Sequence, residues 1–304
     1  MTGDSGNKTR AGFVAVIGAP NAGKSTLINQ LVGNKVTIVS PKAQTTRTNV
    51  RGICMHRGAQ IVFIDTPGLF APKKRLERAM VAAAHTAREE ADMTLLIVDA
   101  AQKKPGRDTY NIIDRLKADG RPCALALNKI DGLKAEKLLP LTADLNGRFD
   151  FVATFMISAL RGDGTRDMLD WLAKRLPEGP YLYPEDQIND MPSRLLAAEI
   201  TREKLFRRLH DELPYALAVE TEKFEERDDR TVAISQTIYV ARESHRPIIL
   251  GKGGSLIKSI GEESRKEFEE ITGVHAHLSL FVKVDAKWAE DPEHYRLWGL
   301  DYKA

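Results

Sequence analysis

Gly18-Ala19-Pro20-Asn21-Ala22-Gly23-Lys24-Ser25 follows an apolar run, Phe13–Ile17, and opens a helical pattern, Ser25–Val32. The spacing is G-x-x-x-x-G-K-[ST], and each residue type in it has a physical reason. Glycine lets the backbone turn so that successive N–H groups converge on a phosphate. Lys24 is placed to reach β- and γ-phosphates, and the Ser25 hydroxyl to hold Mg²⁺. The helix that follows, with Thr26 in its first turn, directs its positive end at the anion. A glycine-rich turn that binds nothing is the bland alternative. The strand before and the helix after weigh against it.

Outward from this loop, short apolar runs alternate with helical patterns as far as Leu176. The runs are Phe13–Ile17, Ile61–Ile64, Leu95–Val98, Ala124–Leu127 and Val152–Ile157. The helical stretches are Ser25–Val32, Arg75–Ala91, Asp108–Ala118, Ala135–Asn146 and Met168–Arg175. Such alternation predicts an α/β fold with a largely parallel sheet, whose ligands sit beyond the carboxyl ends of the strands.

Two further segments choose the nucleotide. Asp65-Thr66-Pro67-Gly68 follows the run Ile61–Ile64. An Asp at a strand end can hold Mg²⁺ through water, and Gly68 can offer its N–H to a γ-phosphate. Asn128-Lys129-Ile130-Asp131 follows Ala124–Leu127. The Asp131 carboxylate can accept two N–H bonds from a guanine edge, and adenine lacks that donor pair. Each segment alone is an ordinary turn. In this order, each behind its own strand, they support one another.

These segments resemble the nucleotide motifs of translation-factor-type GTPases, and Ser158-Ala159-Leu160 is similar to the loop whose backbone meets guanine O6 there. Gln44-Thr45-Thr46-Arg47-Thr48 narrows the resemblance to the Era family, in whose switch I a threonine completes the Mg²⁺ shell in the GTP state. Thr46 is the favoured candidate here, with Thr45 and Thr48 as alternatives. The resemblance makes Lys24, Thr46 and Gly68 the catalytic set, Ser25, Thr46 and Asp65 the metal set, and GTP or GDP with Mg²⁺ the cofactors. Leu69 stands where Ras-type enzymes carry a glutamine, and an aliphatic chain cannot orient the attacking water, so slow intrinsic hydrolysis is expected. Asn21 resembles the asparagine of potassium-activated relatives, where K⁺ supplies positive charge against the phosphates. Equally, it is a residue that tolerates the backbone of the loop.

The texture changes at Leu176-Pro-Glu-Gly-Pro-Tyr-Leu-Tyr-Pro-Glu-Asp. A domain boundary is expected there. The limits that follow are a G domain over 11–178, a linker over 179–192 and a second domain over 193–304. Beyond the linker come a helix, Ser193–His210, two β-like runs, Tyr215–Glu226 and Thr231–Arg242, and the charged turn Glu225–Arg230. Next are Pro247–Leu250, then Gly251-Lys252-Gly253-Gly254, a helix Ser255–Ile271 and a run Ala276–Val284. Missing side chains in Gly-x-x-Gly let an RNA backbone lie against the loop, with Lys252 as a positive tip. The order resembles an α+β type II KH domain, which grips single-stranded RNA. Candidate supports are Arg202, Lys204, Arg207 and Arg208 on the first helix, Arg242, His245 and Arg246 before the loop, and Lys258 after it. Any one of these is more often a solvated charge. Tyr239, Phe268 and Phe281 read as core, and Trp288 and Trp298 as packing for a last helix.

Composition bounds the rest. The chain has 304 residues, 42% hydrophobic and 29% charged, with net charge +3. That length suggests two domains. Residues 193–304 hold 18 Lys and Arg against 21 Asp and Glu, so bulk charge does not draw nucleic acid there and a local site must. Cys54 and Cys123 form no disulfide framework or zinc motif, which suits a reducing compartment. No apolar run approaches the roughly 18 residues of a membrane helix. Met1–Arg10 reads as a polar tail without a signal core. The resemblance to Era runs from about Phe13 to Gly299. It implies 16S ribosomal RNA and the 30S subunit as partners, a monomer, and a cytoplasmic protein with peripheral inner-membrane contact. Two rivals stay open: an ATP-consuming enzyme with a small-substrate domain, and a GTP-binding assembly module without turnover.

Overall fold

The computed structural model describes residues 9–42, 44–102 and 104–304; most of the stretch read as a polar tail lies outside them. The chain forms two compact units. The first takes residues up to Thr37, Thr46–Asp190 and Gly299–Ala304, and the second takes Ile38–Thr45 and Met191–Trp298. Three stretches thus group otherwise than the sequence limits suggest: 38–45, most of the linker, and the last six residues.

In the first unit, β1 (Arg10–Gly18), β3 (Ala59–Asp65), β4 (Met93–Asp99), β5 (Cys123–Asn128) and β6 (Thr154–Met156) run parallel. β2 (Val50–His56) closes the edge antiparallel to β3, giving the order β2-β3-β1-β4-β5-β6. Interior parallel strands are covered on both faces, which is why β3 is buried at every position. Successive side chains go to opposite faces. Val14, Val16, Leu95 and Ile97 enter one core with Leu27 and Ile28 of α1 (Lys24–Val32). Ile17, Leu96, Val98, Leu125 and Leu127 enter the other with Ile112 and Ile113 of α3 (Arg107–Asp119). The other helices are α2 (Arg75–Glu90), α4 (Ala135–Arg148) and α5 (Thr165–Ala173).

The linker runs along the β2 edge. Ile53 N–H donates to the Ile188 carbonyl (2.8 Å), Gly52 bridges to Asn189, and Arg51 pairs with Asp190 (2.6 Å). Gln60 accepts the N–H groups of Leu182 and Tyr183 (2.7 and 2.9 Å). An exposed strand edge is thereby paired. At the other end of the chain, the Arg75 guanidinium lies over the Tyr302 ring at 4.4 Å, which places residues 299–304 in this unit.

The second unit is helix, hairpin, helices, strand. α6 (Ser193–Arg208) precedes β7 (Leu217–Glu226) and β8 (Val232–Val240), which pair antiparallel. α7 (His245–Leu250) and α8 (Ser255–Thr272) follow, then β9 (Ala276–Val284), parallel to β8, and α9 (Pro292–Leu297). Leu205, Leu217, Ile238, Ile249 and Ile260 make one core cluster, and Ile200, Ile234 and Phe268 belong to another. Trp288 and Trp298 are buried, and His294 stacks on Trp298 at 5.5 Å. Phe281 departs from the core role the sequence suggested: it is 59% exposed. β9 alternates, and Leu278, Leu280, Val282 and Val284 occupy its inward face.

Candidate functional site

The carboxyl ends of β1, β3 and β5 carry the three nucleotide motifs, as an open α/β sheet requires. Gly18 ends β1, and a Cβ there would meet the Ile97 carbonyl at 2.5 Å. Gly23, at φ 99, precedes α1, and a Cβ on it would lie 2.2 Å from Asn128 Nδ2. Both glycines are therefore fixed by space as well as by backbone. Asn21 sits at φ 62, a left-handed conformation that asparagine enters more readily than other side chains, and its own side chain is exposed. Pro20 packs against Gly68, where a Cβ would come within 3.1 Å of it, and Leu69 N–H donates to the Gly18 carbonyl (3.2 Å).

Lys24 is buried, with its ammonium on the carbonyls of Gly18 and Ala19 (3.1 and 3.2 Å). Burial pulls its pKa from 10.5 down to about 8, partly offset by the Asp65 carboxylate. The cation is thus held without a full counter-ion, a state that a phosphate would relieve. Asp65 collects three hydroxyls on one oxygen: Ser25 (2.7 Å), Thr37 (2.8 Å) and Thr46 (3.2 Å). Ser25 and Thr46 are themselves 3.0 Å apart. The other oxygen of Asp65 is buried with no hydrogen-bond partner, and burial raises the carboxyl above its ordinary pKa. A buried carboxylate with one oxygen free of donors and hydroxyl oxygens gathered at the other is the donor set a hard cation takes. These residues fit Mg²⁺. Thr46 is the threonine of residues 44–48 that meets Asp65; Thr45 instead donates to the Lys42 carbonyl (2.8 Å), and Thr48 makes no bond to Asp65. Thr66 faces inward and donates to the Val16 carbonyl (2.8 Å), so it shapes the turn before Pro67.

On the base side, Asn128 is a brace. Its amide donates to the Ala22 carbonyl (2.8 Å) and its oxygen accepts the Ala159 N–H (2.9 Å). Lys129, at φ 67, donates to the Asn21 carbonyl (2.8 Å) and to Asp99 (2.7 Å). Ser158 Oγ donates to Asp131 (2.6 Å), and that bond holds the carboxyl below its ordinary range. Asp131 is therefore ionised and aimed. Leu160, two residues after Ser158, is 72% exposed, free to cover an incoming ring. Thr37 and Asp99 escaped the sequence reading. The spacing of Thr37 from the P-loop carries no motif, and Asp99 is one of many strand-end carboxylates.

In the second unit, Gly251 lies at φ 73, and a Cβ would fall 2.7 Å from the Leu256 Cβ. Gly253 and Gly254 also have positive φ but face open space, where a backbone could approach. Arg242, Arg246, Lys252 and Lys258 are exposed. His245 is buried, with Nδ1 lacking a partner. Two of the α6 cations, Arg202 and Lys204, are withdrawn from solvent, while Arg207 and Arg208 stay exposed as the sequence suggested; all four are ion-paired. Arg202 is 2% exposed and bonded to Glu199 (2.5 Å), Lys204 pairs with Glu267, Arg207 with Glu203 (2.8 Å), and Arg208 with Glu263. Helical periodicity turns these residues toward acidic neighbours, which a count of charges does not register.

Among the described residues, no helix is long and apolar enough to cross a membrane. Residues 13–129 match the family described as 50S ribosome-binding GTPase, and residues 212–289 match the KH domain. The chain is 58% identical to the GTPase Era of Sinorhizobium medicae over 97% of its own length and 94% of that protein. It is 54% identical to the GTPase Era of Bradyrhizobium diazoefficiens, covering 99% and 97%. A crystal structure of an Aquifex aeolicus Era variant bound to GDP·AlF₄⁻ superposes with a TM-score of 0.90 at 41% identity, covering 96% of this chain and 99% of that one. A structure of Era with MgGDPNP and nucleotides 1506–1542 of 16S ribosomal RNA matches with a TM-score of 0.90, 40% identity and the same coverage. With the P-loop, the Asp131 base site and the Gly-x-x-Gly helix all in place, the chain belongs to the GTPase Era family.

Proposed function

We propose that this protein is a GTP-hydrolysing switch that binds the 3′ region of 16S ribosomal RNA through its KH unit and assists assembly of the 30S subunit. The observation that carries the reading is the convergence of Ser25, Thr37 and Thr46 on Asp65. Hydroxyls from the P-loop helix, from Thr37 and from the switch I threonine Thr46 meet one strand-end carboxylate.

The chain's residues then have separate tasks. Backbone amides of Gly18–Ser25 and the Lys24 ammonium bind the phosphates. Asp131, oriented by Ser158, accepts the guanine N–H groups, and the Ala159 N–H lies in the same loop. Ser25, Thr46 and Asp65 would hold Mg²⁺, which when bound neutralises phosphate oxygens. Thr46 and Gly68 sense whether a γ-phosphate is present, and their loops order or relax accordingly. Leu69 is buried and aliphatic, so no side chain at that position positions the attacking water and turnover is slow.

Support for the RNA half is the relative bound to 16S nucleotides, together with Lys252 and two open glycines at the head of α8. The finer readings are K⁺ activation at Asn21, a monomeric state, and a cytoplasmic location with peripheral inner-membrane contact. Fluorescence anisotropy with a 16S 3′ RNA fragment tests the switch. Affinity is expected to be higher with a GTP analogue than with GDP; equal affinities would remove it. Phosphate release in K⁺ against Na⁺ tests the Asn21 reading. No release in either salt, with RNA present, would leave a binding module without turnover.

A further inference from the structure

Residues 38–45 lie far in sequence from the rest of the second unit, and one face of α6 holds them. Val39 N–H donates to the Glu203 carboxylate (3.0 Å), which is fully buried. Arg207 bonds both that carboxylate (2.8 Å) and the Val39 carbonyl (3.1 Å). The Lys42 ammonium donates to the Phe206 carbonyl. The Thr45 carbonyl accepts Arg202 Nη2 at 2.5 Å. Arg202 is clamped in turn by Glu199 at 2.5 and 2.7 Å and lies over the Phe206 ring at 5.1 Å. Residues 199, 202, 203, 206 and 207 recur at the three- and four-residue steps of one helix face.

The ends of the same stretch bear on the metal site. Thr37 and Thr46 both donate to one oxygen of Asp65 (2.8 and 3.2 Å). We infer that Arg202, oriented by Glu199, is a positioning residue for GTP hydrolysis, acting through the Thr45 carbonyl on the Thr46 hydroxyl. This rests on the GTPase reading above. The Thr45 carbonyl and the Thr46 N–H share one rigid peptide plane. Fixing the carbonyl leaves Thr46 only its own φ and a χ1 that β-branching already restricts. The bond is charge-assisted and buried, so it resists the exchange with water that an exposed contact would allow. The Arg202 side chain is 2% exposed, so burial keeps its guanidinium from RNA in this conformation. GDP lacks the γ-phosphate that Thr46 senses. The effect of Arg202 therefore falls on the GTP state. By linkage, whatever displaces α6 alters Thr46, and whatever fixes Thr46 steadies α6.

Arg202→Gln, Arg202→Lys and Lys42→Met, made in the full chain, test this. Arg202→Gln is expected to keep GDP affinity within about twofold while kcat for GTP falls by about tenfold, the scale of a small misplacement at the reacting centre. Its preference for a GTP analogue over GDP should fall as well. Arg202→Lys, which keeps the charge and one donor, recovers part of both. A wild-type kcat and a wild-type GTP-to-GDP affinity ratio in Arg202→Gln would overturn the inference. Should that variant not fold, Lys42→Met removes one tether outside the buried pair. Faster amide exchange across residues 38–46 with the GTP analogue bound, and a lower kcat, support the inference; unchanged exchange and turnover overturn it. Absence of GTP hydrolysis by the wild-type chain would instead remove the reading it rests on.

Discussion

The Asn128 side-chain amide donates to the carbonyl of Ala22 at 2.8 Å. The last residue of β5 thereby holds the phosphate loop behind β1, and its oxygen holds Ala159 behind β6. Gly23 is part of the same brace, because any Cβ there would overlap the Asn128 amide. The base-side motif is thus a structural member of the phosphate-side motif.

Asn128→Ala should therefore cost stability as well as nucleotide affinity. It leaves the Ala159 N–H and the Ala22 carbonyl without partners in a buried setting. About 2–4 kcal/mol is expected for two such groups. Urea unfolding of the nucleotide-free protein reads it. An unchanged midpoint would show that water or the backbone replaces both bonds.

Lys24 gives a proton signature. Burial holds its pKa near 8 against 10.5 in the unfolded chain, so between those values the unfolded state binds the extra proton. Stability of the nucleotide-free protein therefore gains from this residue as pH rises through that window. Bound phosphates restore the charge, so GDP binding should take up a proton above pH 8 and little near pH 7. Calorimetry in buffers of different ionisation enthalpy counts it. Equal uptake at pH 7 and pH 9 would contradict the assignment.

Much of this was legible in the sequence, and the omissions share a cause. β4 and β5 lie within the sheet and read as continuous apolar runs. β2 does not, because Arg51, Gly52 and His56 break its pattern and its pairing comes from β3 and the linker. Residues 213–216 form a 3₁₀ turn where a strand seemed to begin, since Pro214 at its start sets the helical φ. Pro140 sits inside α4 without ending it. At the site, the P-loop residues were legible because neighbours in sequence do the work. Thr37 and the partners of Arg202 were not, because they meet only after the chain has folded back over 28 and 157 positions.

Lys252 separates the two functions. It is exposed at the tip of the Gly-x-x-Gly turn, between glycines with positive φ. Lys252→Ala should weaken RNA binding across sequences and lower the salt slope of log K by about 0.7, one phosphate contact on a single strand. GDP affinity should not change. An RNA affinity and salt slope equal to wild type would take Lys252 out of the site.

The central claim is that a guanine nucleotide lies between Lys24 and Asp131, and calorimetric titration of GDP and ADP with Mg²⁺ tests it most directly. The wild-type chain should take up GDP to saturation and ignore ADP. Asp131→Asn, which presents a donor where the guanine N–H groups need an acceptor, should lose GDP affinity by about a hundredfold. ADP uptake equal to that of GDP, or an Asp131→Asn variant that binds GDP as tightly as the native chain, would contradict the account.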